Sequence, residues 1–104
     1  MTGWYEGVVT FPGPGGGPLP SHEGSRDALI AKFDPNGGCA WAFNIGGTGR
    51  DEGFGIDVDY RGSVYAAGFF YDTADFKPGA GTAEHTSNGY DDIWLSKFLP
   101  DGEW

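Results

Sequence analysis

The sequence predicts an all-β chain in which one unit recurs in tandem, and three observations carry that prediction. The first is composition: twenty glycines and seven prolines punctuate a chain that also holds eight Phe, five Tyr and four Trp. A disordered chain does not carry so many aromatic side chains, and Gly-rich turns between aromatic and β-branched runs belong to all-β proteins. The second is periodicity, since no stretch sustains a helical pattern and glycine interrupts nearly every window long enough for a helix. The third is an echo. "DALIAKFDPNG" at 27–37 and "DIWLSKFLPDG" at 92–102 hold Asp, Lys-Phe, Pro and Gly at matching places.

Sliding the chain by 65 residues extends the echo without a gap. Gly3 falls on Gly68, Phe11 on Phe76, Gly16 on Gly81, Gly24 on Gly89 and Asp27 on Asp92. Lys32 meets Lys97, Phe33 meets Phe98, Pro35 meets Pro100 and Gly37 meets Gly102. Trp4 meets Phe69 and Tyr5 meets Phe70, so aromatic character persists where identity is lost. Glycine matches come cheaply in such a chain; Phe, Asp, Lys and Pro matches in one frame do not. The pattern reads as an internal repeat, which takes precedence over any fold assignment.

In chain order, the first copy opens on its second strand, around Gly3–Tyr5, followed by the long connection "FPGPGGGPLPSHEGS". "DALIAKF" is its third strand and "CAWAFNIGG" its fourth, with Trp41, Phe43 and Ile45 alternating inward and Cys39 a small core side chain. The next unit starts at Asp51: "DEGFGIDVDYRG" puts Phe54, Ile56 and Val58 on one face and Asp57 and Asp59 on the other. "DYRG" is a turn with Gly62 at positive φ, and "SVYAAGFFY" is the second strand, whose Ala66, Ala67 and Gly68 suit close sheet approach. After the long connection "DTADFKPGAGTAEHTSNGYD", "DIWLSKFL" is the third strand and "PDG" another tight turn. Four short antiparallel strands per unit at a fixed spacing describe tandem four-stranded β-propeller blades.

The motifs "GGTG-x-DEG", "D-x-x-G-x-VY-x-x-G", "DF-x-PGAGT" and "D-x-x-x-SK-x-x-x-DG-x-x-W" together resemble the SBBP repeat, named for its seven-bladed β-propeller. The likeness spans nearly the whole chain and departs in the first long connection, where "FPGPGGGPLPSHEGS" stands for "FKPGAGTAEHTSNGY". The resemblance implies a bacterial, secreted or cell-surface repeat protein whose blades form a scaffold or binding surface. It implies no catalytic residue.

Residues 1–45 are accordingly expected to form a partial blade of strands two to four, and 46–104 a second blade with its last strand truncated. That is about one and two-thirds blades, where a closed ring takes roughly four to eight. Each blade buries a face against its neighbour, so an unclosed pair leaves apolar faces wet. At ~25 cal/mol per Å2, a face of several hundred Å2 is worth on the order of 10 kcal/mol, which rivals the stability of a domain. The expected partners are therefore further blades of the same array, or other copies of the chain.

A net charge of −9 argues against nucleic acid or an anionic membrane as partner. No run has the length of a transmembrane helix, and "MTGWYEGVVTF" lacks the basic and apolar segments of a secretory signal. The lone Cys39 forms no internal disulfide and says little about compartment.

The acids offer the most chemistry. Asp91-Asp92, Asp57 with Asp59, and Asp51-Glu52 are pairs of the type that serves glycoside hydrolysis, so a carbohydrate-active enzyme (glycoside hydrolase or lyase) using Asp57, Asp59 or Asp92 is the alternative reading. Yet Asp27 and Asp92 repeat in frame, which points to an Asp accepting turn N–H groups in each copy. "GGTGRDEG" carries oxygen donors that would suit Ca2+, but matches neither an EF-hand nor the Gly-Asp nonapeptide pattern, so no cofactor is expected. His22 and His85 stand out of register and make no zinc site without cysteines. "GPGGG" lacks the Lys-Ser/Thr of a phosphate loop, and none of the serines sits in a nucleophile elbow. The expected function is thus a non-catalytic scaffold or ligand-binding surface. Trp4, Tyr5, Phe69, Phe70, Tyr71 and Tyr90 flank the long connections and are the candidates to stack on a glycan or grip a protein segment, or else to cap the core.

Overall fold

The computed structural model describes residues 1–21, 25–77 and 83–104, and His22, Gly24 and Gly81 lie outside them. Among the described residues there are strands and no helix. The strands are β1 (Thr2–Tyr5), β2 (Val8–Phe11), β3 (Gly17–Pro20), β4 (Asp27–Phe33), β5 (Cys39–Gly47), β6 (Asp51–Val58), β7 (Val64–Asp75) and β8 (Glu84–Phe98). Six of them form one curled antiparallel sheet in the order β1-β4-β5-β7-β6, with β8 on the other side of β7. β2 and β3 form a separate hairpin.

The 65-residue echo is reproduced in hydrogen-bond register. β1 pairs β4 through Thr2↔Ile30, Gly3↔Leu29, Trp4↔Ala28 and Tyr5↔Asp27. β7 pairs β8 through Ala67↔Leu95, Gly68↔Trp94, Phe69↔Ile93 and Phe70↔Asp92, each partner 65 residues further on. The following turns agree too: Asp34 N donates to Gly38 O and Gly37 N to Asp34 O, just as Leu99 N donates to Glu103 O and Gly102 N to Leu99 O. Gly37 and Gly102 both take positive φ, where a side chain would strain the backbone. Like sequence produces like local structure.

The two copies use opposite faces to meet. Side chains alternate across a strand, so each copy has one face carrying Ala28 and Ile30, or Ile93 and Leu95 (face A), and another carrying Leu29 and Ala31, or Trp94 and Ser96 (face B). The buried core joins Ala28, Ile30, Trp41 and Ile45 from face A of the first copy to Val64, Ala66, Phe70, Trp94 and Phe98 from face B of the second. Trp41, partly buried Phe43 and Ile45 do point inward as expected. Trp41 and Phe43 lie 5.4 Å apart, and both rings contact Phe98 at 5.6 and 6.0 Å. Trp41 Nε1 and Lys32 Nζ both donate to Pro100 O, tying the second turn to the first copy.

The structure differs from expectation at four places. β5 pairs β7 through Gly46↔Asp75 and Gly47↔Ala74, so the two copies share one continuous curled sheet where separate four-stranded blades were expected. The first connection holds the β2–β3 hairpin, which lies against the first copy through Phe11 on Phe33 (5.6 Å) and an Asn44 Nδ2 bond to Pro20 O. The second connection is largely strand, because β7 and β8 run on past a bulge and pair at Thr73↔Thr86, Ala74↔His85 and Asp75↔Glu84. Asp72 takes positive φ at that bulge, and Phe76 beyond it folds back on Phe70. Finally, Phe54 does not share a face with Ile56 and Val58. A bulge between Gly53 and Gly55 inserts one extra residue, which turns Phe54 onto Phe69 at 4.9 Å.

Candidate functional site

The period of two that builds the core also decides where the six candidate aromatics go. Phe69, Phe70 and Tyr71 are consecutive, so they cannot share a face. Phe70 is buried in the core, while Phe69 and Tyr71 lie on face A of the second copy with their rings 5.6 Å apart. Trp4 is on face A of the first copy, half exposed, with the Arg26 guanidinium 3.6 Å over its ring. Tyr5 is on the opposite face, half-buried near Asp27 and Asn44; burial, then the Asp27 charge, push its phenol well above the ordinary range against an opposing Asn44 hydrogen bond. Tyr90 is exposed on β8. The six do not form one surface.

A different apolar surface does form. On face A of the second copy, Phe54 (70 % exposed), Ile93 (85 %) and Leu95 (73 %) stand around Phe69 and Ala67. Phe54, Gly55, Ala67, Phe69, Asp91 and Ile93 line an open groove of about 490 Å3 here. Cations rim it, with Arg50 5.3 Å from the Tyr71 ring and Lys97 5.4 Å from the Tyr65 ring. Large exposed apolar patches mark contact sites. Sequence reading missed Phe54, Ile93 and Leu95. The Phe54 displacement follows from a bulge, and Ile93 and Leu95 could be read as core until the packing of the two copies was known. The available signal was the alignment of Ile93 with Ala28 and Leu95 with Ile30, which enlarges the same face.

The acidic pairs are occupied by local architecture. Asp59 lies past β6, in the turn, where Oδ1 accepts Arg61 N (2.9 Å) and Ser63 N (3.0 Å) and Oδ2 accepts the Tyr65 hydroxyl (3.2 Å). Asp34 makes a turn of the same kind between β4 and β5, accepting Asn36 N and Gly38 N. Asp57 accepts its neighbour Val58 N, and Asp92 accepts Asn88 N at 2.9 Å. Glu52 pairs with Arg26 at 2.8 Å. Asp27 and Asp51 are fully buried, with the Asn44 amide donating to Asp27 Oδ2 at 2.7 Å. Cys39 is buried, and that burial pushes its thiol up while a Trp41 backbone hydrogen bond opposes it. Among the described residues no group of three His, Cys, Asp or Glu is placed to hold a metal ion.

Asp59 yields a pH prediction. Burial alone would raise its carboxyl, but the Ser63 and Arg61 N–H groups, the Tyr65 hydroxyl and the Lys97 charge outweigh that and hold it below the ordinary range. A group depressed on folding stabilises the fold above its unfolded pKa of about 3.9 and loses that contribution as pH falls through the folded value. Asp59→Asn keeps a turn-forming side chain without the charge. Thermal melts followed by circular dichroism should show Tm of the parent falling more steeply than that of D59N on acidification below about pH 4. Parallel curves would remove Asp59 from the acid response.

No family model matches the chain, and no curated protein or solved structure matches it either.

Proposed function

We propose that the chain is a non-catalytic segment of a repeat array, about one and two-thirds consecutive blades of an unclosed propeller that serve as scaffold and binding surface in a larger surface or secreted protein. Face A of the second copy is its contact surface. One observation carries this reading: the same pair of positions on β4 and β8 is covered in one copy and bare in the other. Ala28 and Ile30 are 0 % exposed, whereas their register equivalents Ile93 and Leu95 are almost fully in water. Face A of the first copy rests on face B of the second, a head-to-tail contact that repeats when the next unit presents a further face B. The partner this reading names is a further unit of the same kind. The turn and backbone bonds made by Asp57, Asp59 and Asp92 support a structural use of those acids.

With no such unit supplied, bare apolar side chains drive the purified chain to cover them with another copy. Sedimentation velocity over a concentration series should show reversible association of the parent. An Ile93→Lys, Leu95→Lys double variant should stay monomeric with an unchanged far-UV spectrum. A parent that remains a monomer at the highest concentration would overturn the assignment of this face.

A further inference from the structure

A second surface lies along the free edge of β8, at right angles to face A. Among the described residues β8 pairs only with β7, so its outer N–H and C=O groups have no strand beside them. Its counterpart β4 is not bare. β5 lies along the corresponding edge through Ala28↔Ile45, Leu29↔Asn44, Ile30↔Phe43, Ala31↔Ala42 and Lys32↔Trp41. Moved by 65 residues, those β4 positions become Ile93, Trp94, Leu95, Ser96 and Lys97.

Beside these residues runs a cavity of about 490 Å3, lined from face B by Phe70, Phe76, Trp94 and Ser96 and from face A by Leu95 and Lys97. A groove bordered by both alternating sets of side chains is the shape an added strand fills, because its own side chains alternate to both faces. Trp104 borders the same groove, where its indole donates to Ser96 Oγ at 2.8 Å.

We infer that the β8 edge accepts, by antiparallel strand addition, an extended peptide segment of another polypeptide with the pattern of β5: uncharged, with large apolar residues alternating with small or amide ones. The pattern follows from the occupied edge, where Trp41, Phe43 and Ile45 face the core and Ala42 and Asn44 face the other way. Main-chain bonds supply the attachment and the alternation supplies the choice of register. The inference rests on the equivalence of the two copies but uses an edge that stacking on face A leaves open.

The probe is a synthetic peptide spanning residues 40–47, "AWAFNIGG", with a solubilising Lys tail, titrated against the 15N-labelled full chain. Expected is a saturable shift of the amide signals of 93–97, with protection of those amides from hydrogen exchange. Two further peptides carry N-methyl groups on alternate residues. The set whose N–H groups face β8 should bind at least about tenfold more weakly than the parent peptide, and the other set should bind normally. Equal binding of both sets, or shifts confined to Phe54 and Phe69, would overturn strand addition. Running the titration on a Phe54→Lys chain, which alters face A but no residue of the β8 edge or its groove, separates the two ideas: retained edge binding with weakened self-association keeps them distinct. Peptide failure beside intact self-association sinks only the edge.

Discussion

Truncation of Phe98 to Ala is expected to destabilise the whole chain by about 3–5 kcal/mol, a large part of the roughly 5–15 kcal/mol that holds a domain of this size. Phe98 is completely buried and contacts Trp41 and Phe43 of the other copy. The cavity left by its ring would lie between the copies, so both lose their shared core together. Urea unfolding followed by Trp fluorescence and by far-UV circular dichroism should give coincident transitions, shifted to much lower denaturant in F98A. The control is Leu95→Ala on the same strand, which removes an exposed side chain and should shift the midpoint by no more than about 0.5 kcal/mol. If F98A costs as little as L95A, the shared core is misplaced. Separate transitions for the two probes would mean that the copies fold independently.

That contrast within one strand shows which parts of the molecule could be read from its sequence and which could not. The all-β character, the strands around 27–33, 39–47 and 92–98, and the turns at Asp59 and Pro100 followed from period-two patterns and from Gly62 and Gly102. These are local signals. The 65-residue echo went further, since it placed Leu29 with Trp94 and Ile30 with Leu95 before any pairing was known, and the observed registers agree. What the echo does not encode is which copy lies on which. Ile93 and Leu95 stand where Ala28 and Ile30 stand in the first copy, and there that stripe is core. Only the direction of stacking leaves them bare in the second.

The connections were hidden for another reason. Glycine and proline in "FPGPGGGPLP" signal turns, yet Val8–Phe11 and Gly17–Pro20 pair as a hairpin, since a proline in an edge strand costs no ladder hydrogen bond on its outer side. In the second copy the extension of β7 and β8 includes the Thr73↔Thr86 pair, whose hydroxyls lie 2.8 Å apart. A single Thr on each side of a glycine-rich stretch is too small a signal to read in advance. The six candidate aromatics divided for the simplest cause of all. Adjacent residues of a strand face opposite ways, so nearness in sequence at Phe69, Phe70 and Tyr71 guaranteed separation in space.

The equivalence of the copies has a limit, and glycine substitutions should locate it. Gly3 and Gly68 occupy the same place in the repeat and pair with Leu29 and Trp94 respectively. Their surroundings differ because β7 has β6 on its far edge, with Gly68 opposite Gly53, whereas β1 pairs only with β4 among the described residues. A Cβ added at Gly68 would run into the Glu52 carbonyl, part of the backbone, and come within 2.8 Å of the Trp94 ring. Neither neighbour can yield without moving a paired strand or a core side chain, so Gly68→Ala should cost about 1–3 kcal/mol. A Cβ at Gly3 meets nothing within 4 Å. Gly3→Ala should therefore be neutral or stabilise by up to about 1 kcal/mol, through the reduced freedom of the unfolded chain. Paired urea titrations of G3A and G68A measure the difference directly. Equal losses in both would mean that the far edge of β1 is as crowded as that of β7, and the arrangement of strands at the start of the sheet would have to be redrawn.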